Sequence, residues 1–278
     1  MNLLAFIPTY NRRQTTAVTF PALRAAIARA PEPIRVTVLV VVSNREDQHL
    51  AEQNGFHTVW APNQPLGRKF NAGLKHALEN YQWDYLFQMN SDNLLHQEFW
   101  QHFAVFFEKR TPFFGCNHIS FFNPETSQAL RYLYPDGCGI RFIRRDIAEG
   151  AAYVKDITPV DDRRGKGLVL RKGKRKSVPA VRLKPLFGQI HEPPKVELWP
   201  PEINIGMDNA SHKQIRLAFP DIVQQFPAGN TPMVVDIKSA TNLHPFSEFV
   251  ADSHAKPLPT AEAFQYFPEL KYFTHAEV

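Results

Sequence analysis

The chain has 278 residues, of which 44% are hydrophobic and 21% charged, and a formal net charge of +5 at pH 7. This composition is ordinary for a globular protein, and no apolar run approaches the ~20 residues that a membrane-spanning helix needs. The two cysteines, Cys116 and Cys138, form neither a disulfide framework nor a metal-binding spacing. The first residues lack the basic start of a signal peptide, so we expect a reduced, cytoplasmic protein.

The positive charge is concentrated in one segment. Residues 163–184 hold ten of the 32 Lys and Arg residues and no Asp or Glu. The rest of the chain has 22 basic and 27 acidic residues, which is a net charge of −5. Such a segment favours a polyanionic partner, and a solvated loop is the alternative.

Apolar segments alternate with amphipathic ones through the first third of the chain. The apolar segments predict short buried strands at 3–7, 34–42, 57–60 and 85–89. Helices are expected from Thr15 or Thr16 to about residue 30, from a cap at Ser43 or Asn44 to about residue 55, and from residue 67 to 79. This order indicates half of a doubly wound α/β sheet with right-handed crossovers. It contains neither a dinucleotide-binding glycine motif nor a P-loop.

The fourth predicted strand runs directly into a polar tip. Asn90, Asp92 and Asn93 follow it at close spacing. Ligands of open α/β sheets bind outside the carboxyl ends of the strands, where a carboxylate can hold a divalent cation and, through it, a diphosphate. A simple turn is the alternative, because Asn, Ser and Asp also favour turns.

The later elements are less regular. We expect a helix at 97–107 and strands at 113–122, 131–134, 140–143 and 233–238. Residues 163–184 are typical of a β-hairpin with a basic tip. The chain divides into 1–95, 96–250, which carries the hairpin, and 251–278, a C-terminal extension.

Four segments together resemble the family 2 glycosyltransferases with the GT-A fold. In order, they resemble its nucleotide loop, its N-x-G-x-x-x-A-R-N-x-G segment, its DxD motif and its acceptor-side loop: 6–12 (FIPTYNR), 63–74 (NQPLGRKFNAGL), 88–93 (QMNSDN) and 137–146 (GCGIRFIRRD). The resemblance covers about residues 1–150. It implies a Rossmann-like mixed sheet flanked by helices, here with a C-terminal extension and a basic hairpin insertion. It also implies that 1–95 is a nucleotide-sugar-binding half and 96–250 an acceptor-side half.

The resemblance also implies a donor site for a nucleotide sugar, with a UDP-sugar as the expected donor. Where the family has an Asp at the end of the second strand, this chain has Ser43 and Asn44. Asn90 replaces the first Asp of the DxD motif. Arg68 and Lys69, near the start of a helix, suit an anion, although they can equally form a solvated helix surface. The implied donor-binding residues are Pro8, Thr9, Tyr10, Arg12, Asn44, Arg68, Lys69, Asn71, Asn90 and Ser91.

For the reaction, the resemblance implies Mn²⁺ or Mg²⁺ and a carboxylate base. Asp92 would hold the metal, and His244 is the candidate for a late histidine ligand, although it can be structural. Asp208 is the candidate base that would take the acceptor proton, and its alternative role is a helix N-cap. A base that acts directly in this way implies inversion at the anomeric carbon.

The acceptor is expected beside the turn and the hairpin. Asp136 can contact a substrate or only form the turn. The basic side chains suit a phosphate backbone, so a hydroxymethylated base in DNA, as in phage-type DNA, or an anionic glycan is a possible acceptor. The expected acceptor-binding residues are Asp136, Gly137, Arg171, Lys172, Lys174, Arg175, Lys176 and Asn209.

The sequence therefore favours a metal-dependent glycosyltransferase. A transferase acting on cell-surface glycans is one alternative, and a nucleotidyltransferase on a similar fold is another. A non-catalytic nucleic-acid-binding protein on the same scaffold is the third, because Asn44 and Asn90 depart from the family pattern.

Overall fold

The computed structural model describes residues 1–134, 140–152, 196–204, 207–239, 242 and 244–274, with the backbone alone at 207 and 208. The first part alternates strands and helices as β1 (Asn2–Pro8), α1 (Arg13–Ala28), β2 (Arg35–Val42), α2 (Arg45–Gln53), β3 (His57–Trp60), α3 (Leu66–Asn80) and β4 (Tyr85–Gln88).

Short strands dominate the remainder. Its elements are β5 (Asn93–Leu95), α4 (Phe99–Glu108), β6 (Phe113–Gly115), β7 (His118–Asn123), β8 (Gln128–Leu133), β9 (Arg141–Arg144), α5 (Arg145–Ala152), α6 (Met207–Ala218), β10 (Val234–Ile237), α7 (Phe246–Val250), β11 (Ala255–Leu258), α8 (Thr260–Tyr266), a 3-10 helix (Pro268–Leu270) and α9 (Lys271–Thr274).

The strands form two sheets. The first has the order β3-β2-β1-β4-β9-β6, and the second β11-β8-β7-β10-β5. Strands β1 to β4 are mutually parallel, whereas β9 is antiparallel to β4 and to β6. This confirms the predicted α/β fold with mixed sheets flanked by helices. Because β1 and β4 are neighbours, the loops that follow them meet at one edge of the sheet.

Apolar side chains on both faces of β1 explain its central place. Leu3, Ala5 and Ile7 pack into a core with α1, α2 and α4. Leu4 and Phe6 point to the opposite face, into a core with α3, α5 and α6. A strand covered on both sides is mostly apolar along its buried positions, and this produces the continuous hydrophobic run in the sequence.

The helix caps agree with the sequence for α2 but not for α1. Asn44 caps α2, and its side chain accepts a hydrogen bond from the amide of Asp47 at 2.8 Å. The prediction that Thr15 or Thr16 caps α1 is wrong, because the helix already begins at Arg13. Thr16 lies one turn inside and donates its hydroxyl to the carbonyl of Arg12.

The single strand predicted at 113–122 is in fact two strands. β6 pairs with β9 in the first sheet, and β7 pairs with β8 and β10 in the second. A side chain at Gly115 would collide with the carbonyl of Ile140. The chain therefore leaves the first sheet at a glycine and crosses to the second.

Residues 196–204 pack against α3. Asn71 donates to the carbonyl of Trp199 at 2.6 Å and accepts from its amide at 3.1 Å. Gly67 lies so close to the carbonyl of Pro200 that a Cβ there would collide with it. Among the helices that the structure describes, none is long and apolar enough to cross a bilayer.

Candidate functional site

Asp92 is the centre of the candidate site. It follows β4 at the carboxyl edge of the first sheet and is 2% exposed. Arg12, in the loop after β1, donates from Nη1 to Oδ2 of Asp92, and Asn242 donates to the same oxygen at 2.8 Å. Residues from three distant parts of the chain therefore meet at one carboxylate, and the adjacency of β1 and β4 accounts for the contact between Arg12 and Asp92.

The other carboxylate oxygen of Asp92 is unsatisfied. Its Oδ1 is buried and has no hydrogen-bond partner among the described residues. A buried polar atom without a partner is costly, so such an atom marks a place where a ligand would be stabilising. Carboxylate oxygen is a preferred ligand of Mg²⁺ and Mn²⁺, and Asp92 thus fits the cation that the sequence predicts.

A second acidic residue, Asp236, lies on β10. It is 6% exposed, and its Oδ2 accepts a hydrogen bond from Nζ of Lys238 at 3.0 Å. Burial is the largest cause that raises the pKa of Asp236 to about 7, and the negative charge of Asp92 is the next. The positive charges of Lys238 and Arg12 oppose this rise in pKa. The two carboxylates are therefore close enough to repel each other. Among the described residues, no group of three or more His, Cys, Asp or Glu side chains is placed to bind a metal.

Lys69 is a buried cation beside the same edge. It is 1% exposed, donates to the carbonyl of Thr9 and to Oδ1 of Asn63, and lies 5.8 Å from the ring centre of Tyr10. Desolvation lowers the pKa of Lys69 to about 8, with Asp47 opposing the shift and Arg12 adding to it. We call the place that Thr9, Tyr10 and Lys69 border the slot. An anion in this slot would favour the charged form of Lys69.

Asp47 belongs to the same slot and has no role in the sequence prediction. It is 1% exposed and accepts hydrogen bonds from the amide of Asn11 at 2.9 Å and from Nδ2 of Asn44 at 2.7 Å. It fixes the loop after β1 to the start of α2. The signal that reveals it is its spacing, because an acidic residue three positions after an N-cap is typical of a helix start.

The other predicted donor residues differ in their availability. Tyr10 is exposed and faces Lys69, whereas Thr9 is buried at the end of β1 beyond Pro8. Arg68 forms an exposed ion pair with Glu202, and both ends of the Asn71 amide bind Trp199.

Asn90 and Ser91 shape the loop that presents Asp92. The amide of Asn90 donates to Oδ1 of Asn93 at 2.8 Å, which closes the turn. The carbonyl of Ser91 accepts a hydrogen bond from the hydroxyl of Thr19 at 2.7 Å. The turn is therefore formed, as one of the two sequence interpretations requires. It also presents a carboxylate of which one oxygen has no hydrogen-bond partner within the described ranges.

Late in the chain, the structure brings Asn242 to Asp92, whereas His244 lies at the surface. The imidazole of His244 is 3.0 Å from Oε2 of Glu248, and both side chains are more than half exposed. Asn242 also accepts from the amide of Ser239 at 2.9 Å, which fixes its amide group toward Asp92. No local pattern in the sequence distinguishes Asn242 from its neighbours.

Several predicted residues lie outside the described part of the chain. These are Asp136 and Gly137, and the basic residues Arg171, Lys172, Lys174, Arg175 and Lys176. Asp208 falls in the first turn of α6, but its side chain is also outside the described part. The neighbouring Asn209 is exposed. α6 is held by Gln214, which donates to the carbonyl of Ala151 at 2.9 Å.

No known family profile and no curated protein sequence matches the chain. Similar solved structures include glucosyl-3-phosphoglycerate synthase from Mycobacterium tuberculosis in complex with Mn²⁺ and UDP-glucose, with a TM-score of 0.35 and 14% identity over 54% of this chain and 58% of that one. S. aureus TarS 1–349 has a TM-score of 0.31 and 15% identity over 44% of this chain and 35% of that one. The chain thus spans less than two thirds of either protein. At TM-scores this low, the likeness to these proteins does not indicate a function for the chain.

Proposed function

We propose that the chain is a metal-dependent glycosyltransferase that moves a sugar from a nucleoside diphosphate donor to an acceptor hydroxyl. The observation that supports this most is Asp92. It is a buried carboxylate with one oxygen that no described residue contacts by a hydrogen bond, at the edge of parallel strands where ligands of such folds bind. Arg12 and Lys69 add two cations at the same edge.

Each residue then has a role that follows from its position. Asp92 would hold Mn²⁺ or Mg²⁺, which when bound neutralises charge on the leaving diphosphate. Lys69 and Arg12 favour the anionic diphosphate, and the exposed ring of Tyr10 can stack on the base. Thr9, Asn44 and Asp47 shape the slot between β1 and α2. In this proposal Asn71 positions residues 196–204 behind that slot.

Asp208 is proposed as the base. A carboxylate in the first turn of α6 can accept the proton of the acceptor hydroxyl as that oxygen attacks the anomeric carbon. Direct attack of this kind inverts the configuration. Asp136, Asn209 and the basic segment 163–184 would contact the acceptor, and the charge of that segment favours a polyanion.

The proposal is tested by nucleoside diphosphate release from a panel of sugar nucleotides with Mn²⁺. We expect release from one donor, which is stimulated by the correct acceptor. Parallel reactions with hydroxymethylated duplex DNA and with anionic glycans distinguish the two acceptor classes. Release of pyrophosphate from nucleoside triphosphates would instead indicate a nucleotidyltransferase. If no donor reacts but DNA is bound, the non-catalytic alternative would be correct.

Lys69 predicts a pH dependence of donor binding. In the free protein the pKa of Lys69 is about 8, so the side chain is mostly charged below pH 8 and mostly neutral above it. Since the charged form attracts a diphosphate, UDP affinity measured with Mn²⁺ should fall as the pH rises above 8, by up to about tenfold per unit.

The matched variants are Lys69→Met and Lys75→Met, both on α3. Lys75 is about half exposed and lies near Glu79. Lys69→Met should bind UDP weakly at every pH without the fall above pH 8, whereas Lys75→Met should retain both the affinity and its pH dependence. A fall that persists in Lys69→Met would assign the titration to another group.

A further inference from the structure

The sheet register places Asp236 beside Asp92. Asp236 on β10 is the direct partner of Asn93 on the antiparallel strand β5. The amide of the next residue, Ile237, donates to the carbonyl of Asp92 at 2.9 Å. Two acidic residues that are 144 positions apart in the sequence are thus fixed against each other by backbone hydrogen bonds.

The alternation along β10 makes Asp236 an unusual residue for its position. Val235 and Ile237 face the core formed with Leu94 and the C-terminal helices. Val234, on the opposite face, packs into the main core, and Asp236 follows it on that face. An apolar residue would be expected there, because a buried carboxylate is destabilising unless its oxygens are bound.

In both carboxylates, the hydrogen-bond donors that the structure describes contact Oδ2. Oδ2 of Asp92 accepts from Arg12 and Asn242, and Oδ2 of Asp236 accepts from Lys238. Each Oδ1 is buried without a hydrogen-bond partner in the described part of the chain. The cations Arg12 and Lys238 offset the repulsion between the carboxylates, but they leave one oxygen of each available.

We propose that Asp236 is the second protein carboxylate of the divalent cation site, with Oδ1 of Asp92 and Oδ1 of Asp236 as ligands. The inference deepens the proposed function, on which it rests for what the bound cation does. Hard oxygen ligands suit Mg²⁺ and Mn²⁺, and a cation at this place satisfies two buried oxygens at once. The absence of an Asp at position 90 is then offset by a carboxylate from another strand.

Mn²⁺ binding without any sugar nucleotide tests the assignment. The free Mn²⁺ signal in electron paramagnetic resonance gives the affinity for the wild type, Asp236→Asn, Asp92→Asn, Lys238→Met and the control Asp84→Asn. Asp84 lies just before β4, far from the site, and accepts from the amide of Asn2. Asp236→Asn should weaken binding at least about tenfold, whereas Asp84→Asn should not change it.

Lys238→Met should strengthen Mn²⁺ binding, whereas Asp236→Asn should weaken it. The substitution removes the cation that competes with Mn²⁺ for Asp236, so the Mn²⁺ affinity should rise. This variant keeps the assignment testable even if Asp236→Asn does not fold, which circular dichroism will show. Unchanged or weaker binding by Lys238→Met would overturn the assignment.

The outcomes separate this inference from the proposed function. Suppose that the wild type and Asp236→Asn bind Mn²⁺ equally, whereas Asp92→Asn binds it more weakly. Asp236 is then no ligand, while the metal-dependent transferase remains supported. If the wild type binds no Mn²⁺, the assignment of Asp236 and the role of Asp92 as a metal ligand both fail.

Discussion

Asp92→Asn is expected to lower the rate of sugar transfer on the order of 1,000-fold. The change removes the negative charge but keeps the shape of the side chain. A cation would lose a charged ligand, and the diphosphate would lose the cation that neutralises it as it leaves. Initial rates of nucleoside diphosphate release with saturating Mn²⁺ and donor measure this effect directly.

Two controls accompany Asp92→Asn. Asp84→Asn makes the same chemical change at the other end of β4 and should retain full activity. Asp92→Asn also leaves Arg12 beside a neutral amide, which lowers the free energy of unfolding by about 3 kcal/mol, so urea denaturation must show that the variant is folded. A folded Asp92→Asn with wild-type turnover would exclude Asp92 from the reaction.

Asp208→Asn is expected to abolish transfer without weakening donor binding. General base catalysis contributes about 10²- to 10⁴-fold, and the amide of asparagine cannot accept the proton. In the proposed function the donor is instead held by Asp92, Arg12 and Lys69, which this substitution leaves unchanged. Transfer rates and calorimetric UDP affinity, measured on the same preparation, separate the two effects.

Asp221→Asn is the matched control for Asp208→Asn. Asp221 is an exposed residue just beyond α6, and its replacement should change neither quantity. Retained turnover in Asp208→Asn would remove Asp208 from the role of base. If the free energy of unfolding falls while the catalytic rate per folded molecule is unchanged, the residue only stabilises the N-terminal end of the helix, in which it is the second residue and not the N-cap.

The parallel part of the fold was predictable because its signal is local. β1, β2 and β4 are buried on both faces, so each is a continuous apolar run with a polar end. The second sheet has no such signal. β5 has three residues, and it joins the sheet by pairing with β10, which is far along the chain. A window that predicts one strand at 113–122 cannot show that β6 and β7 belong to different sheets.

The same distinction applies to the candidate site. Asp92 and Arg12 follow adjacent parallel strands, so the strand order alone brings them together. Asn242 and Asp236 reach Asp92 only through the pairing of β10 with β5, which no short sequence pattern specifies. The resemblance implies a late histidine ligand and points to His244, whereas in the structure Asn242, two positions earlier, contacts Asp92.

Calorimetric titration of the protein with nucleoside diphosphates, first with Mn²⁺ and then with EDTA, tests whether a donor binds at Asp92 with the help of a cation. One diphosphate, expected to be UDP, should bind in the presence of Mn²⁺ and at least about tenfold more weakly in EDTA. If UDP, GDP, CDP, ADP and TDP all fail to bind under both conditions, the edge of the sheet at Asp92 is not a donor site and the proposed function is wrong.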